Sequence, residues 1–155
     1  MKKSAISLII PAYNEEKLIY RTLLSVSKAV RQFELDTNET IELIVVDNAS
    51  TDRTVEIANR FDVTIVREER HMISAVRNAG AKAAKSEILC FLDADSEVSE
   101  NIFTLVYEAM QSENYIGGGA KMMLDQPGII FKGIALGSQI MSLITGIRSE
   151  ERRVG

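Results

Sequence analysis

The sequence has little cysteine, little histidine and no excess of positive charge. Its one cysteine, Cys90, has no second cysteine with which to form an internal disulfide, so we expect a reducing, cytoplasmic setting. One histidine and one cysteine argue against a zinc site, which draws most of its ligands from these two residue types. The 18 Lys+Arg and 22 Asp+Glu give a formal net charge of −4, which argues against a nucleic-acid partner held by bulk positive charge.

We also expect no secretory signal, because Pro11 and the polar "YNEE" stretch cut the N-terminal apolar run short. What the sequence does have is the composition of a globular protein. It contains 155 residues, of which 46% are apolar and 26% charged. That length suits one domain with a buried core.

Short apolar runs alternate along the chain with stretches in which apolar residues recur at helical spacing. This alternation is typical of βαβ units on a parallel sheet. Pro11 is expected to end the first strand. The five predicted strands are Ala5–Ile10, Ile41–Asp47, Val63–Val66, Glu87–Asp93 and Tyr115–Leu124.

Four helices are predicted between and after these strands. Asn14 is expected to cap the first helix, with Glu15 and Glu16 in its first turn, where the helix dipole favours acidic residues. A second helix follows the second strand. The third spans Ile73–Lys85, and its small residues should let it lie close to a sheet. Ser99 is expected to cap the fourth.

Residues 127–146 form an almost continuously apolar stretch, with Lys132 as its only charge. The length is just adequate for a membrane span, which needs about 20 apolar residues. The lysine and four glycines favour instead a helix that packs against protein. Both interpretations stay open, and with them a peripheral association with a membrane.

Polar residues follow three of the predicted strands: "PAYNEE" after the first, "DNASTD" after the second and "DADSE" after the fourth. In parallel α/β sheets ligands bind at the carboxyl ends of the strands, so these exits should form one site. Asp93 and Asp95 would share one side of an extended backbone and repel each other unless a cation neutralised them. A hard divalent cation such as Mg²⁺ suits that pair. The alternative is a solvated loop whose aspartates only cap the next helix.

Three further polar residues are less decisive. Asp47 can accept hydrogen bonds from a base or a ribose, or it can form a turn with the residues that follow it. Arg77 can pair with a diphosphate or with Asp93, or it can lie on a helix surface. His71, in the polar stretch "REERH", is expected to be solvated rather than catalytic.

Four segments together carry a family resemblance: "SLIIPAYNEE", "IVVDNASTDRT", "AVRNAGAKAAKSEILCFLDAD" and "GGGAKM". Over residues 4–124 the chain resembles the nucleotide-sugar-binding part of the inverting family 2 glycosyltransferases. The resemblance implies the GT-A fold, a Rossmann-like, three-layer α/β/α architecture on a mostly parallel sheet. The order and spacing of the segments carry it, since each motif alone is weak.

The resemblance also implies roles for particular residues. Asp47 would contact the base, often uracil, and Arg77 would help to organise the nucleotide side of the site. Asp93 would lie near the ribose, and Asp95 would bind the Mg²⁺ or Mn²⁺ ion that bridges the diphosphate, with Asp93 beside it. The implied nucleotide-sugar-binding set is Pro11, Ala12, Tyr13, Glu15, Asp47, Arg77, Asp93, Ala94 and Asp95.

The implied activity is metal-dependent transfer of a sugar, with inversion, from a nucleoside diphosphate sugar, UDP favoured, to a lipid, polysaccharide or protein acceptor. The catalytic base of such enzymes is a carboxylate in the acceptor-binding part. The acidic residues after Leu124 lie in no context that resembles this part, so none is assigned as base; they are Asp125, Glu150 and Glu151.

We therefore expect a truncated chain. Residues 1–126 would form the donor-binding domain, residues 127–146 an apolar helix that leads to a missing acceptor part, and residues 147–155 an irregular tail that resembles nothing expected there. The setting would be cytoplasmic, with the inner face of the membrane left open.

Two alternatives remain. One is a nucleotide-sugar-binding remnant without transfer activity, which follows if the acceptor part is absent. The other is a nucleotidyltransferase, which also uses a nucleotide, Mg²⁺ and paired carboxylates. That class should carry a glycine-rich basic loop after the first strand, where this chain reads "PAYNEEKL", so it ranks below the transferase.

Overall fold

The computed structural model describes residues 4–111 and 117–119. In the described part, four parallel strands form one sheet in the order β3-β2-β1-β4. The strands are β1 (Ile6–Ala12), β2 (Ile41–Asp47), β3 (Thr64–Arg67) and β4 (Ile88–Phe91). The helices are α1 (Ile19–Thr37), α2 (Thr54–Ala58), α3 (Ile73–Ala83) and α4 (Ile102–Met110). Strands and helices alternate along the chain, as the sequence predicts.

Helices cover both faces of the sheet. Successive side chains of a strand point to opposite faces, so β1 contributes apolar residues to both layers of contact. Ile6, Leu8 and Ile10 of β1 pack in one apolar cluster with residues of α1, α2 and α4. Ile9 of β1 packs in a second cluster, with β2 and with Val76 of α3. The predicted three-layer α/β/α architecture is therefore confirmed for the described residues.

Helix α3 lies very close to the sheet at Gly80. A Cβ atom on Gly80 would stand 2.3 Å from Ile9 Cγ2 and 2.9 Å from Val46 Cγ2, closer than packed atoms come. The small residues of this helix thus let it approach the sheet, as expected. The helix ends at Ala83, two residues before the predicted end.

The end of β1 differs from the prediction, because the strand continues through Pro11 to Ala12. The carbonyl of Ile9 accepts a hydrogen bond from the Leu92 amide at 3.0 Å, so the backbone at this position faces β4. Pro11, two residues further on, faces the same side and has no N–H with which to extend that ladder. Pairing with β4 stops at Phe91, while pairing with β2 continues to Asp47.

Two predicted helix caps are wrong. Asn14 precedes a further turn, so α1 begins only at Ile19, and Glu15 and Glu16 lie outside the helix. Asn14 itself adopts a left-handed conformation, with φ of 54°. Ser99 does not cap α4 either: this helix begins at Ile102, whose amide bonds the Ser99 carbonyl at 3.2 Å rather than its hydroxyl.

The remaining strands agree with the prediction to differing degrees. The prediction for β2 is confirmed residue for residue, and β3 is shifted by one residue. Strand β4 is shorter than the predicted Glu87–Asp93, because it spans only Ile88–Phe91 and the chain turns at Asp93. The predicted strand Tyr115–Leu124 lies outside the described residues apart from 117–119, which are not in a strand. The predictions for residues 127–146 and 147–155 also lie outside them. No helix in the described part is long and apolar enough to cross a membrane.

Candidate functional site

The exits of β1, β2 and β4 lie side by side at the carboxyl edge of the sheet. Strand β1 occupies the middle, with β2 on one side and β4 on the other. The Asn48 amide bonds the Ala12 carbonyl at 2.9 Å, which fixes the β2 exit beside the β1 exit. The three polar exits predicted from the sequence therefore meet at one edge, where ligands bind in parallel α/β sheets.

Residues 13–16 after β1 and residues 50–54 after β2 are tied together by hydrogen bonds, an arrangement we call the loop interlock. The Asn14 amide donates to Ser50 Oγ at 3.1 Å, and the Thr51 amide donates to Asn14 Oδ1 at 2.9 Å. The left-handed backbone of Asn14, which asparagine tolerates better than most residues, lets it both donate and accept here.

Two more hydrogen bonds of the loop interlock join residues further along the same two loops. The Glu15 amide donates to Thr54 Oγ1 at 2.7 Å, and the Glu16 amide donates to Asp52 Oδ2 at 3.0 Å. Asp52 also accepts hydrogen bonds from the amide and the hydroxyl of Thr54. Burial alone would raise the pKa of Asp52, but these hydrogen bonds hold it below its usual value.

The predicted nucleoside side of the site is formed where β1 leaves the sheet. Ala12 is buried, Pro11 is partly buried and Tyr13 is exposed. The Tyr13 ring meets the His71 ring edge-on, with centroids 5.2 Å apart. His71 is exposed, as expected, but it belongs to the wall beside Tyr13, a placement that its sequence context did not indicate.

Asp47 ends β2 with its side chain almost fully buried. Its Oδ1 accepts a hydrogen bond from the Ser50 amide at 3.0 Å, so the turn-forming role considered for it is confirmed. Its Oδ2 lies 3.8 Å from Nη1 of Arg67, on the neighbouring strand β3. Asp47 is thus a buried carboxylate at a strand end, with one oxygen held by the turn and the other facing Arg67.

Asp93 and Asp95 follow β4 in a turn, so the extended backbone expected for this pair is wrong. The Ser96 amide bonds the Asp93 carbonyl at 3.1 Å and closes this turn. Ala94, between the two aspartates, is buried in the core, whereas both aspartates are exposed. The turn therefore holds two carboxylates at the surface on either side of one buried methyl group.

Arg77 lies in the second turn of α3 and reaches this turn. Its Nη2 lies 3.3 Å from Oδ1 of Asp93, and its guanidinium carbon lies 5.8 Å from the centre of the Phe91 ring. Of the roles considered for Arg77, the pairing with Asp93 is the one that the structure contains. Both side chains remain about half exposed, so either can also meet a ligand.

Negative charge accumulates around Glu15. Burial raises the pKa of Glu15, and the nearby carboxylates of Asp95 and Asp52 raise it further. Such an arrangement favours the arrival of a cation. The described residues nevertheless contain no group of three or more His, Cys, Asp or Glu side chains placed to hold a metal ion. A cation at Asp95 would have to draw most of its ligands from water or from a phosphate, which is usual for Mg²⁺.

The sequence did not indicate the site roles of four residues. They are Asn14, which hydrogen-bonds the loop after β2, and Asp52, Thr54 and Thr22. The last lies on α1, and its hydroxyl donates to the Ala94 carbonyl at 2.7 Å. The only signal for it is a polar residue three positions after Ile19, on the apolar face of the helix. Asp52 and Thr54 carry the Asp-x-Thr pattern of side-chain hydrogen bonds before a helix.

A parallel α/β sheet with polar loops at its carboxyl edge, here with exposed aspartates after the edge strand β4, has the arrangement in which α/β domains bind their ligands. Residues 7–132 match the sequence profile of glycosyl transferase family 2. The chain belongs to this family, which confirms the resemblance and favours the transferase over the nucleotidyltransferase alternative.

Individual relatives agree with this membership. The chain is 28% identical to glycosyltransferase GlyG of Streptococcus pneumoniae, over 70% of the chain and 36% of GlyG. It is 33% identical to the minor teichoic acid biosynthesis protein GgaA of Bacillus subtilis, over 66% of the chain and 24% of GgaA. The chain thus spans about a quarter to a third of the length of these two relatives.

Solved structures share the fold. S. aureus TarS superposes with a TM-score of 0.60 at 25% identity, over 79% of the chain and 38% of TarS. TarS also has a structure in complex with UDP-GlcNAc. Glucosyl-3-phosphoglycerate synthase of Mycobacterium tuberculosis, in complex with Mn²⁺, UDP and glucosyl-3-phosphoglycerate, superposes with a TM-score of 0.55 at 23% identity, over 72% of the chain and 41% of the synthase.

Proposed function

We propose that this chain binds a nucleoside diphosphate sugar, with UDP as the favoured nucleotide, as the donor-binding part of an inverting glycosyltransferase. The observation that carries the proposal is the meeting of three loops at one sheet edge, with Asp47 buried at one strand end and Asp93 and Asp95 exposed at another. Membership of glycosyl transferase family 2 and the TarS complex with UDP-GlcNAc support it.

In this proposal the nucleoside lies over the exits of β1 and β2. Pro11, Ala12, Tyr13 and Glu15 line its pocket, and the Tyr13 ring, exposed and held from the side by His71, offers a surface for the base. Asp47 accepts a hydrogen bond from an N–H of the base, which uracil carries on its pairing edge. Because Asp47 is buried, a base without an N–H at this position would leave the carboxylate lacking a hydrogen bond, which is costly, so a base that carries such an N–H is favoured.

The sugar diphosphate lies towards the exit of β4. Asp93 contacts the ribose, and Arg77, already 3.3 Å from Asp93, organises the nucleotide side by a charge-assisted contact. Asp95, with Asp93 beside it, would hold Mg²⁺ or Mn²⁺. The bound metal supplies positive charge that stabilises the leaving nucleoside diphosphate. The raised pKa of Glu15, caused by burial and then by Asp95 and Asp52, supports a need for positive charge at this point.

Transfer itself requires an acceptor hydroxyl and a base, to which no described residue is assigned. We propose a lipid, polysaccharide or protein acceptor that attacks the sugar with inversion after a carboxylate removes its proton. The name of GgaA, which refers to teichoic acid biosynthesis, supports an acceptor in cell-surface polymer synthesis. Such an acceptor would bring the protein to the inner face of the membrane.

Calorimetric binding of UDP and GDP, each with and without Mn²⁺, tests the donor site. We expect UDP to bind in a Mn²⁺-dependent manner and Asp95→Ala to remove that dependence. The matched control is Asp62→Ala, because Asp62 is exposed in the loop before β3, at the opposite edge of the sheet. A folded wild-type chain that binds neither nucleotide would refute the proposal, as would an Asp95→Ala variant with unchanged Mn²⁺ dependence.

A further inference from the structure

Thr22 is a buried polar residue in the first turn of α1. It is 1% exposed and lies on the apolar face of the helix, next to Leu23. Its hydroxyl donates to the carbonyl of Ala94, 72 residues away in the sequence, at 2.7 Å. Its separation from the Leu18 carbonyl of its own helix, 3.5 Å, is at the limit of a hydrogen bond. The bond of Thr22 is therefore made across the core, to the turn of residues 93–96, which we call the acidic turn.

The two residues directly after the acidic turn, Glu97 and Val98, also contact this stretch of α1. Ser25 Oγ accepts a hydrogen bond from the Val98 amide at 3.2 Å, and Arg21 pairs with Glu97 at 2.5 Å. The Arg21–Glu97 pair is mostly exposed, so it contributes little. Thr22 makes the buried contact of the three, and it makes it at the residue between Asp93 and Asp95.

We propose that Thr22 is a positioning residue for the Asp93 and Asp95 carboxylates. By satisfying the Ala94 carbonyl inside the core, it fixes the orientation of the peptide between the two aspartates and so keeps both side chains at the surface. Without the hydroxyl, that buried carbonyl has to turn towards water to recover a hydrogen bond, and the turn rotates with it. Thr22 touches neither donor nor metal in this arrangement.

The placement of Thr22 also joins the two sides of the proposed donor site. Helix α1 begins three residues after residue 16, the last of residues 13–16 on the nucleoside side, and Thr22 connects the same helix to the turn on the diphosphate side. The distance between the nucleoside contacts and Asp95 is thus set partly through α1. This inference rests on the proposed function for its consequence in donor binding, but the fixing of the turn does not depend on any ligand.

Two measurements distinguish the fixing of the acidic turn by Thr22 from its consequence for donor binding. The first is amide hydrogen exchange of Ser96, whose N–H bonds Asp93 within the turn, relative to Leu92, whose N–H bonds Ile9. The second is Mn²⁺-dependent UDP affinity by calorimetry. Both are measured in the whole chain for wild type, Thr22→Val, which keeps the shape without the hydroxyl, and Thr22→Ser, which keeps the hydroxyl without the methyl group.

The matched control is Thr37→Val, at the other end of the same helix. Thr37 Oγ1 also donates to a backbone carbonyl, that of Phe33 at 2.7 Å, but it lies far along α1 from the acidic turn. If Thr22→Val does not fold, Thr22→Ala takes its place, because it also removes the hydroxyl but places no methyl group against the Ala94 carbonyl.

We expect Thr22→Val to speed exchange at Ser96 but not at Leu92, and to weaken Mn²⁺-dependent UDP binding by about tenfold, or about 1.4 kcal/mol. Thr22→Ser should restore both readouts, and Thr37→Val should change neither. Unchanged exchange at Ser96 in Thr22→Val would overturn the inference, and so would unchanged UDP affinity in a chain that binds UDP. If wild type binds no UDP, the proposed function fails, and exchange at Ser96 alone decides for or against the positioning role.

Discussion

The guanidinium of Arg77 lies 3.3 Å from the carboxylate of Asp93, across the gap between helix α3 and the exit of β4. Both side chains are about half exposed, at 46% and 57%. An ion pair this exposed adds little to stability, because water screens it and holding two side chains costs entropy. We therefore expect its importance in the proposed donor site, where it contacts one of the two exposed aspartates and not the other.

Replacing Arg77 should separate binding from stability. We expect Arg77→Gln to change the free energy of unfolding by less than about 0.5 kcal/mol and to weaken UDP binding by roughly tenfold, because a charge-assisted contact is lost. Urea denaturation and calorimetry measure the two effects. Arg60→Gln, which removes another exposed pair, with Glu56, is the control. A large loss of stability with unchanged UDP affinity would assign Arg77 to the fold instead.

Glu15 should be a site of conflict between stability and function. Its pKa is raised in the folded protein by burial and then by Asp95 and Asp52, so the ionised form destabilises the fold at pH values above its usual 4.5. We expect Glu15→Gln to increase the free energy of unfolding at pH 7. The gain should vanish as the pH falls below 4.5, where the carboxyl is protonated in both the folded and unfolded states.

Urea denaturation at pH 7 and at pH 3.5 measures this dependence. Glu16→Gln is a contrasting control, because Glu16 accepts hydrogen bonds from the amide and Nε of Arg53 and should not gain stability when neutralised. A Glu15→Gln variant that is less stable than wild type at pH 7 would contradict the prediction that ionised Glu15 destabilises the fold.

Glu42, near the amino end of β2, should give the stability of the fold the opposite dependence on pH. Burial alone would raise its pKa, but hydrogen bonds from the Ser7 hydroxyl and the Lys85 amide, with the Lys85 charge, hold it below 4.5. A lowered folded pKa stabilises the fold above the unfolded pKa, and this stability is lost as the pH falls through the folded value.

We therefore expect wild type to lose more stability than Glu42→Gln when the pH is lowered from 5 to 3. Urea midpoints at both pH values provide the measurement, and Glu108→Gln, at an exposed position of α4, is the control. Parallel losses in wild type and Glu42→Gln would show that the contacts of Glu42 do not favour its ionised form.

Gly80 should resist replacement even by alanine. In an exposed helix this change stabilises by about 1 kcal/mol, but here the new methyl group would overlap Ile9 and Val46, two buried β-branched side chains. We expect a net loss of about 1–3 kcal/mol in the free energy of unfolding, which is typical of overpacking. Thermal and urea denaturation test it, with Ser74→Ala on the exposed side of α3 as control. A more stable Gly80→Ala variant would mean that the helix can shift.

Local patterns in the sequence were enough to predict the order of the described strands and helices and the edge of the sheet at which the candidate site lies. Strand β2 is bounded as predicted, because its apolar run ends in an aspartate followed by turn residues. The family resemblance, carried by four segments in order, is confirmed by the match over residues 7–132. Each of these depends on neighbours in sequence or on a pattern that extends along the whole chain.

The errors arise where the partner of a residue is distant. Asn14 would cap a helix if only its neighbours mattered, but Ser50 and Thr51 compete for its amide and its side chain. The acidic turn departs from extended backbone after β4 pairing ends at Phe91, opposite Ile9 and two residues before Pro11, and Thr22 holds the Ala94 carbonyl within the turn. None of these partners is visible in a single sequence read from one end to the other.

The loop interlock also limits how this protein can be recombined with its relatives. Residues 13–16 and 50–54 complete each other's hydrogen bonds, so a chimaera that imports only one of these segments inherits unmatched donors and acceptors at the sheet edge. A swap that carries residues 13–54 as one cassette keeps every bond of the loop interlock within the same parent. Nucleotide preference should therefore be exchanged between family members as a continuous block rather than motif by motif.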